Sequence, residues 1–291
     1  MITPSMFEDF VRENCGCPNG GTASSYRKAI DHLTSVFSAA KPTWAPVADV
    51  WSMTSPDAIM KLYACVKVEQ DKFIKSRSGI FAPYRGKGDS YFRKRWCSAA
   101  LKFLAQYFAS EGLAPKFASC LASSNSGRSV AQKANRLITT GSVSAFVPDG
   151  IDAGTKEGKE IVRSVKQRLG QDQFRRWILS IYGGKCCVTG LDIATLLRAS
   201  HIVAWAEDAK NRLNPENGLC LSATYDAAFD KHLITFDEKY KMVLSKSLKD
   251  HCTQQVHKDY FLKYENQKIN LPVRFKPDEK LMEKHRNLLV S

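Results

Sequence analysis

The sequence lacks any apolar run near the roughly 18 residues that would suggest a membrane-spanning helix. Its opening segment, MITPSMFEDFVREN, has no apolar core and carries acids early. It does not read as a secretory signal, so a cytoplasmic setting with no membrane partner is expected. No C-x2-C pair occurs, which argues against a four-ligand structural zinc. No internal repeat is found. Acidic side chains are in short supply: 29 Asp and Glu stand against 43 Lys and Arg, a formal charge of +14. An excess of this size favours a polyanionic partner, because phosphate contacts release condensed counterions. Charge alone does not separate such a binder from a basic soluble protein, nor DNA from RNA.

What is present is ample for a globular fold. A chain of 291 residues can bury one large core or two ordinary ones. The nine cysteines are odd in number and scattered, and several lie inside apolar runs such as LYACV and GLCLS. Buried thiols in a reducing compartment fit this better than a disulfide framework. The charge is uneven: residues 1–140 hold 19 basic and 10 acidic side chains, a net +9, and the remainder nets +5.

Apolar spacing predicts amphipathic helices over residues 22–40 (Tyr26, Ile30, Leu33, Phe37), 56–76 (Ile59, Leu62, Tyr63, Val66) and 89–109 (Trp96, Ala100, Phe103, Leu104, Tyr107). Between the last two lies FIKSRSGIFAPYRGKGDSYFRKRW, which mixes bases, glycines and aromatics. Such a segment can follow a phosphate backbone while its rings stack. It can equally be a solvated loop with a few core anchors.

The expected organisation is a helical, DNA-binding or specificity domain over 1–140, a Ser/Gly-rich linker over 141–165, and a second domain over 166–291. In the second domain a helix is read from 171, ending at Gly183-Gly184, with KCCVTG as a short strand with a turn and LDIATLLRA as a short helix. SHIVAW and GLCLS follow as strands, then ATYDAAFDKH as a helix, LITF, KMVLS and NLPVRF as strands, and EKLMEKHRNLLV as a last helix.

Chemistry concentrates between residues 185 and 236. His201 lies on one strand, Asn217 opens the next, and Asp226 and Asp230 follow four apart on a helix. Residues at this spacing share a face, with Cβ atoms roughly 6 Å apart. Two carboxylates so placed can converge on a hard cation such as magnesium or manganese. The alternative is ordinary surface charge, favoured near a helix start for Asp226.

The segments CVTGLD (187–192), LLRASHIVAW (196–205), NRLNPENGLCLS (211–222), YDAAFD (225–230) and LITF (233–236), with the lead-in helix GQDQFRRWILSIYGGKC, resemble the HNH endonuclease family, in its restriction-enzyme-like subgroup. The resemblance covers about residues 168–245. It implies an α+β chain in which a helical N-terminal domain precedes an HNH ββα-metal nuclease domain. It implies a Mg2+- or Mn2+-dependent endonuclease of the restriction or defence kind, acting on DNA. It makes His201 the general base and Asn217 the residue that holds its ring through side-chain or backbone contacts. Asp226 stands where the motif has its final His, and Asp230 where a second metal ligand often occurs. Ser200 stands where many members place an Asp or His ligand, and Ala204 where proline is common. Arg198 and Lys231 flank the site as phosphate contacts, with Lys210 and Arg212 nearby, whereas His232 is read as a helix-end residue. One site per chain would suggest a homodimer for double-strand cleavage. The competing expectation is a non-catalytic nucleic-acid-binding protein with a degenerate HNH fold, and Ser200 is the residue that favours it.

Overall fold

The computed structural model describes residues 2–14, 21–84, 88–139, 143 and 155–289. In chain order its α-helices are α1 (Pro4–Asn14), α2 (Gly21–Ala40), α3 (Pro56–Ser76), α4 (Ser90–Arg93), α5 (Trp96–Ala122), α6 (Gly127–Thr139), α7 (Lys156–Ile181), α8 (Ala223–Asp230), α9 (Lys246–His251), α10 (Gln255–Tyr260) and α11 (Glu279–Arg286). The strands are β1 (Leu197–His201), β2 (Gly218–Ser222), β3 (Ile234–Phe236) and β4 (Met242–Leu244). The chain is thus a mostly helical N-terminal region followed by a region of small sheets and short helices. Among the described residues, no helix is long and apolar enough to cross a membrane.

Two compact units emerge, and neither is a single stretch of sequence. One is Met1–Pro115 with Ile138–Leu169; the other is Lys116–Leu137 with Gly170–Ser291. Most of the expected linker, residues 141–165, falls outside the described residues. Its last part, from Lys156, is the start of α7.

In the first unit the apolar spacing of the sequence becomes core. Ile30, Leu33 and Phe37 of α2 and Ile59, Leu62, Val66 and Phe73 of α3 are all buried. Ser55 caps α3 by accepting from the Ala58 amide, Pro56 opens its first turn, and Arg77 ends it in the left-handed region at φ 54°. The basic aromatic segment uses its rings as anchors. Phe73, Phe81 and Phe92 are buried, and the last two stack at 4.3 Å. These rings pack the core and are not available to stack on bases. The buried Gln70 ties α3 to α5: its Nε2 donates to the Tyr91 and Phe92 carbonyls, and its Oε1 accepts from the Ser98 amide.

The second unit holds two antiparallel two-stranded sheets. β1 pairs with β2, from Leu197↔Ser222 to His201↔Gly218, and β3 pairs with β4, from Ile234↔Leu244 to Phe236↔Met242. Four expected elements differ. LDIATLLRA forms no α-helix: it holds one 3-10 turn at Ala194–Leu196, and β1 begins at Leu197. KCCVTG keeps its expected turn but forms no strand: Gly190 sits at φ 75° and its amide returns to the Cys186 carbonyl. SHIVAW ends as a strand at His201: the Ile202 amide makes one last backbone bond, to the Asn217 carbonyl, and both backbone groups of Val203 are then taken by the Asn217 side chain. NLPVRF forms no strand: Pro272 has no amide to donate, Val273 is 96% exposed, and Arg274 donates to the Leu121 and Ser124 carbonyls. The seven described cysteines are free thiols, six of them buried.

Candidate active site

The site is built on a β1–β2 hairpin that runs straight into α8. Successive strand residues face opposite ways, so Ser200 and His201 of β1 diverge. Ser200 faces α8, where its hydroxyl donates to Asp226 Oδ1. Asp226 is pushed above the ordinary carboxylate range by burial, while the Ser200 hydroxyl, Arg198 and Arg175 act the other way. Asp230, one turn on, is raised by desolvation and by the negative charge of Asp226, with His232 and Lys231 opposing. These two carboxylates therefore repel each other, and a cation between them would relieve that repulsion.

His201 turns to the other face. Its ring lies on Phe174 of α7 at 3.7 Å with 16° between planes, and Trp205 meets it edge-on at 5.5 Å and 87°. Its Nε2 is 3.0 Å from the Arg212 carbonyl oxygen. A carbonyl only accepts, so Nε2 carries the ring proton and Nδ1 keeps the lone pair. No hydrogen bond to Nδ1 occurs among the described residues. Burial pushes the imidazole pKa down to about 4, so the ring is neutral at pH 7.

Two glycines make room for this ring. Gly218 is the cross-strand partner of His201, and a Cβ there would lie 2.4 Å from Ile178 Cδ1 and 2.6 Å from Phe174 Cζ. Gly170, inside α7, sits against the Trp205 ring, 2.7 Å from where its Cβ would be. The sequence reading started this helix after Gly170. In the structure the glycine is interior, kept small by Trp205.

Among the described residues, the Asn217 side chain makes no hydrogen bond to the imidazole. Its Oδ1 accepts from the Val203 amide at 2.9 Å, and its Nδ2 donates to the carbonyls of Val203 and Asn211 at 3.1 and 3.2 Å. It therefore clamps the two loop segments that flank the ring, one immediately after His201 and one just before Arg212. Arg198 spends one guanidinium nitrogen on the Thr195 and Leu197 carbonyls and remains exposed near Asp226. Lys231 is exposed at the end of α8. The structure thus gathers Ser200, Asp226 and Asp230, with Arg198 beside Asp226 and Lys231 beside Asp230, on one side. It places His201, held indirectly by Asn217, on the other.

Sequence reasoning missed two groups here. Arg175 of α7 donates to the Leu197 and Ala194 carbonyls, fixing the start of β1 while its charge bears on Asp226. His285 of α11 stacks on Phe229 at 3.7 Å, lies 3.3 Å from His232 Nδ1, and contacts Thr235 Oγ1 at 3.0 Å. An Arg-Arg pair in a lead-in helix was the only signal for the first. No signal in the sequence linked His285 to a histidine 53 positions earlier.

Among the described residues, no cluster of three or more His, Cys, Asp or Glu could enclose a metal ion. A pair of carboxylates with one hydroxyl still suits magnesium or manganese, which keep several waters and take substrate phosphate as a ligand. The mutual repulsion of Asp226 and Asp230 fits the same cation.

A hairpin leading directly into a helix with paired carboxylates is the ββα-metal nuclease arrangement. Residues 186–237 match the family model described as HNH endonuclease, and they form an HNH endonuclease domain. The family implies a phosphodiester hydrolase with a nucleic-acid substrate, and HNH nucleases typically use a divalent metal. The match takes in the hairpin, α8 and β3 but not α7. No curated protein matches the chain.

Proposed function

We propose that the chain is a metal-dependent endonuclease that hydrolyses DNA, of the restriction or defence kind. The observation that carries this reading is the state of His201: a neutral imidazole, pinned through Nε2 to the Arg212 carbonyl, which leaves the lone pair on Nδ1. That is the state a general base needs before it takes a proton from water. Phe174 and Trp205 fix the ring plane, and Asn217 fixes the loops on which the ring rests. Asp226 and Asp230, with Ser200, would hold Mg2+ or Mn2+. When bound, such an ion supplies positive charge to the phosphate and the departing 3′-oxygen. Arg198 and Lys231 contact phosphates on either side. The DNA-positioning role expected of residues 1–140 falls to the first unit, and paired chains would account for double-strand cuts.

A second reading has one observation in its favour. The Ser200 hydroxyl already engages Asp226, as it would in a hairpin that has lost its metal and keeps only nucleic-acid affinity. Supercoiled plasmid incubated with Mg2+, Mn2+ or EDTA separates the two. Nicking with either metal, absent in EDTA and absent from His201→Ala, is expected. Plasmid that is bound but never cut with either ion supports the second reading instead.

A further inference from the structure

The first unit contains a cluster of cations with no acidic partner. The Gln70–Ser98 bond sets the register of α3 against α5. One turn back from Gln70 is Lys67, and one turn on from Ser98 is Lys102, so an antiparallel pair of helices brings these two amines together. Arg168 of α7 joins them. Its guanidinium lies over the Phe103 ring at 4.9 Å and donates to Gln106 Oε1 at 3.3 Å. Lys67, Lys102 and Arg168 are each half-buried. The Lys102 amine is lowered from its ordinary pKa by burial, then by the charges of Arg168 and Lys67. Among the described residues none of the three makes a salt bridge, whereas nearby Asp71 is committed to Arg95 at 2.5 Å.

Gln106 supplies the second observation. It is 1% exposed, and its Nε2 is one of two buried polar side-chain atoms without a hydrogen-bond partner among the described residues. The amide cannot be turned round to repair this, because its oxygen already accepts from Arg168 and a flip would set an NH2 against a guanidinium. Gln106 stands one helical turn after Lys102, so its orphaned donor lies on the face that carries the amine. Like charges held together and a buried donor without an acceptor both cost stability. One ligand with several acceptor oxygens and negative charge would offset both.

We propose that Lys67, Lys102, Gln106 and Arg168 form a binding site for a phosphate group, separate from the nuclease hairpin. Arg168 and the two lysines supply charge, and Gln106 Nε2 supplies a directed hydrogen bond that favours an anion with oxygen acceptors. The phosphate can belong to a nucleic-acid backbone or to a small free ligand. The site does not depend on the HNH domain being catalytic.

The test uses the full chain in phosphate-free buffer with EDTA, so that binding is read without cleavage. Inorganic pyrophosphate is titrated by thermal shift, and a short DNA duplex by fluorescence anisotropy at two salt concentrations. Lys102→Met and Gln106→Leu keep the side-chain volume and remove one ligand group each. Both are expected to melt no lower than wild type without ligand, and to lose about tenfold or more in pyrophosphate affinity. If duplex affinity falls by a similar factor, with a salt slope shallower by about one, the phosphate comes from the backbone. If duplex affinity is unchanged while pyrophosphate binding is lost, the ligand is a small free phosphate compound. An unchanged affinity for both probes in both variants overturns the proposal, as does a wild type that binds neither. Lys67→Met repeats the test if Lys102→Met fails to fold.

Discussion

Ser200 and His201 are neighbours in sequence, yet they sit in surroundings that differ in almost every physical respect. On the Ser200 side of the hairpin stand two mutually repelling carboxylates with raised pKa values and exposed bases beside them. On the His201 side an imidazole is sandwiched by Phe174 and Trp205 and held neutral by burial. Under the proposed function, one side would hold the cation. The other is set up to keep a proton off. A single strand achieves both because its side chains alternate, and the difference teaches that the two halves of the chemistry can be damaged independently.

The largest effect expected is on the His201 side. His201→Ala should cut plasmid cleavage by roughly 10²–10⁴-fold, with DNA affinity in EDTA near wild type. Cleavage at the wild-type rate would break the comparison, since the His201 side would then have no chemical role. On the other side, Asp226→Asn and Asp230→Asn should each weaken divalent-metal binding by roughly 10–100-fold or more, a loss that even supporting partners of metal ligands can cause. Each should also raise the metal-free melting temperature, because the like-charge repulsion is gone. Calorimetric titration with Mn2+ reads the first effect. An unchanged affinity would remove the cation from this face.

Asn217→Ala sharpens the contrast by touching only the loops. It leaves the Val203 amide and two carbonyls without their partner, so a loss of about 3 kcal/mol in denaturant unfolding is expected. Adding back metal should not repair it. The smallest effect concerns His285, whose pKa is pushed down to about 4 by burial. Between about pH 4 and 6.5 the unfolded chain binds this proton and the folded chain does not. Stability therefore falls as pH is lowered through that window, by roughly 3 kcal/mol for this residue. His285→Gln should make the wild-type slope shallower without removing it, because His201, with its pKa also about 4, titrates over the same window. A parallel pair of stability curves would show that His285 is not the group responsible.

Much of the molecule could be read from the sequence where a pattern repeats. The α2 and α3 boundaries follow the spacing of Ile30, Leu33, Ile59 and Leu62, and Ser55-Pro56 mark the start of α3. The hairpin strands and α8 were legible from the motif, as was the closeness of Asp226 and Asp230. The failures came where one contact overrides local preference. Gly170 looked like a boundary until Trp205 gave it a reason to be interior. NLPVRF alternates like a strand, but Arg274 is tied to carbonyls near residue 121. The inward turn of His201 and the indirect role of Asn217 depend on Phe174, Trp205 and Arg212, whose meeting no spacing rule specifies. The His232–His285 contact is harder still, because it joins a left-handed residue after α8 to a helix far along the chain.

The niche that Gly170 leaves for Trp205 bears on how far the hairpin can be moved to another scaffold. Trp205 is one wall of the His201 slot, Phe174 is the floor, and Gly170 is the clearance that lets the wall stand. All but Trp205 lie upstream of residue 186, where the family match begins. A fragment cut at that match would keep the imidazole, Trp205 and the Arg212 carbonyl but lose the Phe174 floor and the Gly170 clearance. The smallest portable unit should begin ahead of Gly170, and a bulky residue at that position should misalign a ring that lies 31 positions further along the sequence.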